Sequence, residues 1–106
     1  MIPPLEKLHD CAKLAKKKGM HVHVDGARIF SGIAELKVDP SEVLKECSSA
    51  TFCLSKGLCA PVGSIIVGDS DFIARVKINR KIMGGHMRKA GVVANTGLIA
   101  LKKMRF

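Results

Sequence analysis

Five consecutive residues without a charge, Ala50-Thr51-Phe52-Cys53-Leu54, run directly into Ser55-Lys56-Gly57. An uncharged run this short, closed by a glycine, reads as a buried strand that stops abruptly. Two further runs behave alike. Met20 to Val24 ends at Asp25-Gly26, and Ser64 to Val67 ends at Gly68. The third is rich in β-branched residues, which suggests burial on both faces. Strands of that kind need helices over both faces and neighbours at both edges, so the chain is directed toward an α/β sheet.

The intervening segments supply the helices. Leu5, Leu8, Ala12 and Ala15 recur at helical spacing opposite Lys7, Lys13, Lys16 and Lys17. They predict an amphipathic surface helix from Leu5 to Lys18, stopped by Gly19. Ala27 to Glu35 predicts a second helix. A short third one opens at Ser41, with Ser41 or Asp39 as its cap. Asp69 to Ile82 predicts a basic helix with Phe72, Ile73 and Val76 facing inward. Ala90 to Lys103 predicts a last helix, apolar enough to be buried on more than one side.

A helix, a tight turn, and a strand ending in an acid is the grammar of an open α/β sheet, whose ligands bind at the carboxyl ends of the strands. Asp25 and Lys56 both fall there. A lysine at the mouth of a buried strand can lose solvent, which favours the free amine and nucleophilic chemistry. The same position also suits an ordinary solvated turn residue. Asp25 equally suits the cap of the helix that follows. Arg28, three residues on, can turn its guanidinium back toward the crevice for a carboxylate or phosphate, or it can face solvent or pair with Asp25.

His21 and His23 lie two apart on the first strand and so share a face, as metal-binding pairs in barrel hydrolases do. Further ligands are scarce, since only His86 lies downstream, and a barrel needs about 250 residues where this chain has 106. No metal site is expected. The four cysteines, at 11, 47, 53 and 59, fit no zinc spacing and read as reduced, partly buried small hydrophobes. Net charge is +9, and it is lopsided: from Asp69 onward nine Lys/Arg face two Asp/Glu. With no Trp or Tyr and with Phe not interleaved among the basic residues, a stacking platform for nucleic acid is not expected. There is no apolar run of about 18 residues to cross a membrane and no signal-peptide pattern at the start, which suggests a cytoplasmic protein.

Three stretches now stand in fixed order: HVHVDGAR (His21 to Arg28), CLSKGLCAPVGSIIVG (Cys53 to Gly68) and RKIMGGHMRKAG (Arg80 to Gly91). Together they resemble the low-specificity threonine aldolases, of the β-eliminating lyase group with the aspartate-aminotransferase fold. Two departures are visible: His86 stands where the family usually has a third glycine, and Lys89 where glutamine is common. The resemblance implies a three-layer α/β/α fold. Residues 1–106 would form part of the large, pyridoxal-phosphate-binding domain of a fold type I enzyme, with an N-terminal part and a C-terminal small domain outside them. It implies that Lys56 holds pyridoxal 5′-phosphate covalently, Asp25 pairs with the pyridine nitrogen, and Arg28 binds the substrate carboxylate. Lys81 and Arg88 would serve the cofactor phosphate.

The reaction implied is retro-aldol cleavage of a β-hydroxy amino acid, threonine or allo-threonine, to glycine and acetaldehyde, in a homotetramer built as a dimer of dimers. The catalytic base, the ring-stacking residue, the phosphate loop and a second arginine would lie outside these 106 residues, so the chain alone is expected to be inactive. Two other readings stand beside this one: a non-catalytic aldolase-like binding module, and a metal hydrolase using His21 and His23.

Overall fold

The structure is a computed structural model that describes residues 3–104. Eight elements follow one another: α1 (Leu5–Lys17), β1 (His23–Asp25), α2 (Ile29–Leu36), α3 (Pro40–Leu44), β2 (Ser49–Cys53), β3 (Ser64–Gly68), α4 (Ser70–Ile82) and α5 (Gly91–Lys103). Every predicted element is present. The first strand is the exception in length: it forms only at its end, because Met20 and His21 have no strand beside them and Met20 is exposed. Among the described residues no helix is long and apolar enough to cross a membrane.

The strands lie in the order β1-β2-β3. β1 runs parallel to β2, with Asp25 opposite Thr51. β3 runs antiparallel to β2, with Thr51 opposite Ile66. Alternation along the strands then sorts the side chains into two faces. Val24, Ala50, Phe52, Ile65 and Val67 share one face. His23, Asp25, Ser49, Thr51, Cys53, Ser64 and Ile66 share the other.

The apolar face carries the core. Leu54, Leu58, Ala60 and Ala100 are buried together, with Phe30, Phe52, Ile65 and Leu101 packed around them. Phe30 of α2 meets Phe52 edge-on at 5.3 Å between ring centres, a favoured aromatic geometry. Leu54 sits where two glycines leave room: a Cβ on Gly97 of α5 would stand 2.8 Å from Leu54 Cδ1, and one on Gly63 would stand 3.1 Å from it. α2 and α5 therefore cover this face. On the polar face Phe72 of α4 lies against Gly68 and 6.5 Å from the His23 ring. Helices on both sides of the sheet give the three-layer α/β/α arrangement.

Caps and ties follow local chemistry. Asp39 accepts from the Ser41 amide at 2.9 Å and starts α3, and Asp69 accepts from the Phe72 amide at 2.7 Å and starts α4. Lys16 at the end of α1 pairs with Glu46 at 3.1 Å, and His9 donates to the Glu42 carbonyl at 2.8 Å, so α1 is tied to α3 and the segment entering β2.

Two burial expectations are corrected. β3 is an edge strand in the described chain: Ile65 and Ile66 are half-buried, but Val67 and Gly68 are exposed. α5 buries only Gly97 and Ala100, while Val92, Leu98 and Ile99 are exposed. The reason is the same in both cases. Apolar residues are buried only where another element lies over them, and one helix stripe meets one sheet face here.

Candidate functional site

Parallel pairing of β1 with β2 brings the ends of both strands to one edge of the sheet. The ladder continues past β1, where the Gly26 amide donates to the Thr51 carbonyl at 2.8 Å. Gly26 is buried, and a Cβ there would stand 3.0 Å from Ile29 Cβ and 3.1 Å from the Thr51 carbonyl. A side chain there would need Ile29 or the β2 backbone to give by a few tenths of an ångström, so glycine suits so tight an exit from the strand. The Ile29 amide closes the turn on the Gly26 carbonyl at 2.8 Å. α2 starts at Ile29 with Arg28 as its N-cap residue and no side-chain cap. Asp25 therefore does not cap this helix. Asp25 and Arg28 are exposed, and neither side chain makes a hydrogen bond or ion pair among the described residues.

Beyond β2, the loop folds back on its own strand. The Ala60 amide donates to the Leu54 carbonyl at 3.0 Å, and the Cys59 amide to the Lys56 carbonyl at 2.9 Å. Leu54 and Leu58, 2% and 0% exposed, hold the loop at both ends, and Ser55, Lys56 and Gly57 are exposed between them. Lys56 is thus presented at the same edge as Asp25 and Arg28. The strand supplies its position, while enclosure of its amine is not supplied by the described residues.

A groove of about 300 Å³ opens beside β1, lined by Asp25 and Arg28 together with apolar residues such as Leu5, Leu8, Ile29 and Ile33. Lys56, in the loop after β2, does not line it. Lys81 lies in the last turn of α4 and Arg88 in the turn segment before α5. Both are exposed, and no hydrogen bond or ion pair ties either to Lys56, Asp25 or Arg28. The structure therefore brings Asp25, Arg28 and Lys56 to one edge and does not join Lys81 or Arg88 to them.

The His23 ring is turned toward β2. His23 Nδ1 lies 2.8 Å from Ser49 Oγ, and Nε2 lies 3.4 Å from Thr51 Oγ1, so both ring nitrogens face hydroxyls of β2. His21 precedes the strand and borders a groove of about 330 Å³ with His23, Ser49, Phe72 and Arg75. Among the described residues no group of three or more His, Cys, Asp or Glu is placed to hold a metal. The hydrolase reading of His21 and His23 is set aside on that geometry and on the family below. The cysteines are free. Cys11 and Cys59 are exposed, Cys47 and Cys53 half-buried, and burial pushes the Cys47 thiol up from its usual range.

Sequence reasoning passed over Thr51 and Ser31. Thr51 stands opposite Asp25, which only the register reveals. Ser31 meets Gly57, a contact between residues 26 positions apart that no local pattern announces.

Residues 1–105 match the β-eliminating lyase family, and the chain belongs to it. Within that family it is 43% identical over 99 residues to the low specificity L-threonine aldolase of Escherichia coli O157:H7, a match covering 93% of this chain and 30% of that protein. It is 42% identical over 99 residues to low-specificity L-threonine aldolase 1 of Arabidopsis thaliana, covering 93% of this chain and 28% of that one. A solved structure from Listeria monocytogenes, of a candidate L-allo-threonine aldolase, superposes with a TM-score of 0.91 at 22% identity, covering 99% of this chain and 29% of that one. The fold is shared, and the chain spans about 30% of the length of the curated relatives it matches.

Proposed function

We propose that the chain is part of the large, cofactor-binding domain of a pyridoxal-phosphate-dependent threonine aldolase. Such an enzyme cleaves L-threonine or L-allo-threonine to glycine and acetaldehyde. The observation that carries this reading is the parallel β1–β2 register, which sets the DGAR and SKG motifs at one carboxyl edge. Family membership and the relatives' names support it.

The donor set fits the cofactor. An amine, a carboxylate and a guanidinium stand at one edge, and none is neutralised by a salt bridge among the described residues. When bound, pyridoxal 5′-phosphate supplies an electron-poor ring that takes up the electron pair of a bond broken at Cα. Lys56 is the residue that would hold it covalently. Asp25 would keep a proton on the ring nitrogen, as a carboxylate favours a neighbouring cation. Arg28 would clamp the substrate carboxylate through two parallel N–H donors. Lys81 and Arg88 would serve the phosphate, as exposed cations available to a neighbouring surface.

Removal of the β-hydroxyl proton belongs to a base outside these residues. For that reason the 106 residues alone are expected to release no glycine from threonine above a blank. Assembly as a dimer of dimers and a cytoplasmic location complete the proposal on the strength of the resemblance.

Borohydride reduction of the cofactor-loaded full-length protein, followed by peptide mapping, tests the central assignment. The pyridoxyl group is expected on Lys56, and finding it on Lys81 instead would overturn it. If the full-length protein binds the cofactor but leaves threonine intact, the binding-module reading takes its place.

A further inference from the structure

The loop that carries Lys56 meets the first turn of α2 at Gly57. A Cβ on Gly57 would stand 2.7 Å from Ser31 Oγ, 3.2 Å from the Ser31 amide nitrogen and 3.6 Å from Phe30 Cβ. The backbone does not call for glycine there, since the glycines of positive φ are Gly19, Gly63 and Gly84. What a side chain at 57 would meet is the neighbour: Ser31 Oγ would have to turn aside and the Ser31 amide give by a few tenths of an ångström. Ser31 lies one helical turn beyond Arg28, on the same side of α2. Its side chain is exposed and makes no hydrogen bond among the described residues, so its hydroxyl has no evident task in holding the helix.

Leu54 and Leu58 fix where the loop leaves and re-enters the core. The Cys59 amide donates to the Lys56 carbonyl at 2.9 Å, and Gly57 lies against Ser31 of α2.

We propose that Ser31 is a positioning residue: its side chain and amide form the seat on which Gly57 rests, and the seat places Lys56 relative to Asp25 and Arg28. This rests on the reading of Lys56 as the cofactor lysine. A displacement of about 1 Å in a reacting group can cost roughly a hundredfold, so a small lean carries a large effect.

The test uses the full-length protein and three variants: Ser31→Val, Gly57→Ala, and Ser31→Ala combined with Gly57→Ala. Three quantities are measured: the dissociation constant for pyridoxal 5′-phosphate, the fraction of Lys56 trapped by borohydride, and the melting temperature without cofactor. Ser31→Val and Gly57→Ala are each expected to weaken cofactor binding about tenfold or more and to lower trapping at Lys56. The cofactor-free melting temperature should stay within about 2 °C, since exposed positions such as Ser31 on α2 and Gly57 in its loop contribute little to stability. Removing Ser31 Oγ in the double variant should restore at least half of the loss, on a logarithmic scale, caused by Gly57→Ala.

Wild-type binding in Ser31→Val would overturn the proposal. So would a double variant no better than Gly57→Ala, or a loss of binding that only tracks a fall in melting temperature. Wild-type protein unlabelled at Lys56 would instead refute the assignment of the lysine, and so distinguishes the two failures.

Discussion

Leu54→Ala removes the side chain that joins the Lys56 strand to α5. Leu54 is 2% exposed, and its methyl groups face Gly63 and Gly97, neither of which has a side chain to move into the space left behind. Leucine-to-alanine changes in cores cost about 2–5 kcal/mol, rising with the volume of the cavity that remains. A site walled by two glycines relaxes poorly, so we expect about 3–4 kcal/mol. Native-state hydrogen exchange of the full-length protein reads this locally. The amides of Phe52 and of Leu54, which donates to the Gly63 carbonyl at 2.9 Å, should exchange a few hundred times faster, as about 1.4 kcal/mol is tenfold. Adding Gly97→Ala to Leu54→Ala should recover about 1 kcal/mol or more, because the new methyl enters the vacated volume and alanine outranks glycine within a helix. An increase in exchange below tenfold for Leu54→Ala, or further loss on adding Gly97→Ala, would refute the account of this contact.

Asp25→Asn should retain cofactor and fold, since the Asp25 side chain is exposed and makes no internal bond, yet lower turnover about a hundredfold or more; a near-normal rate would sink the proposed role. Arg28→Lys should raise KM for threonine through loss of a two-point clamp, whereas an unchanged KM with a lower melting temperature would make Arg28 a structural residue. The Lys16 hydrogen bond and charge hold the Glu46 carboxyl below its usual value of 4.5. A carboxyl depressed in the folded state stabilises the fold above its unfolded pKa, and that contribution is lost as pH falls through the folded one. A Glu46 resonance titrating below 4.5, and moving up in Lys16→Met, is the expected result; no change in that variant would dismiss the pair.

Much of this protein was legible from local pattern. Helix spacing, glycine stops and caps such as Asp69 act within a few residues, so they marked eight elements in the right order and set Asp25 and Lys56 at strand ends. Membership of the family was legible too, because three motifs in fixed order carry more information than any one of them.

Contacts between distant residues were not legible. Whether β3 ran parallel or antiparallel to β2 depends on pairing across the chain, and a period of two reads the same in either sense. Burial of β3 and α5 was overestimated, because apolar composition records what a surface requires and not what lies against it. That Asp25 is no helix cap depended on α2 starting at Ile29, a matter of two residues at a turn. The seat that Ser31 makes for Gly57 depended on how α2 crosses the sheet. Sequence determined which residues reach the edge. Only the packing of α2 against the β2 loop decided how they stand toward one another there.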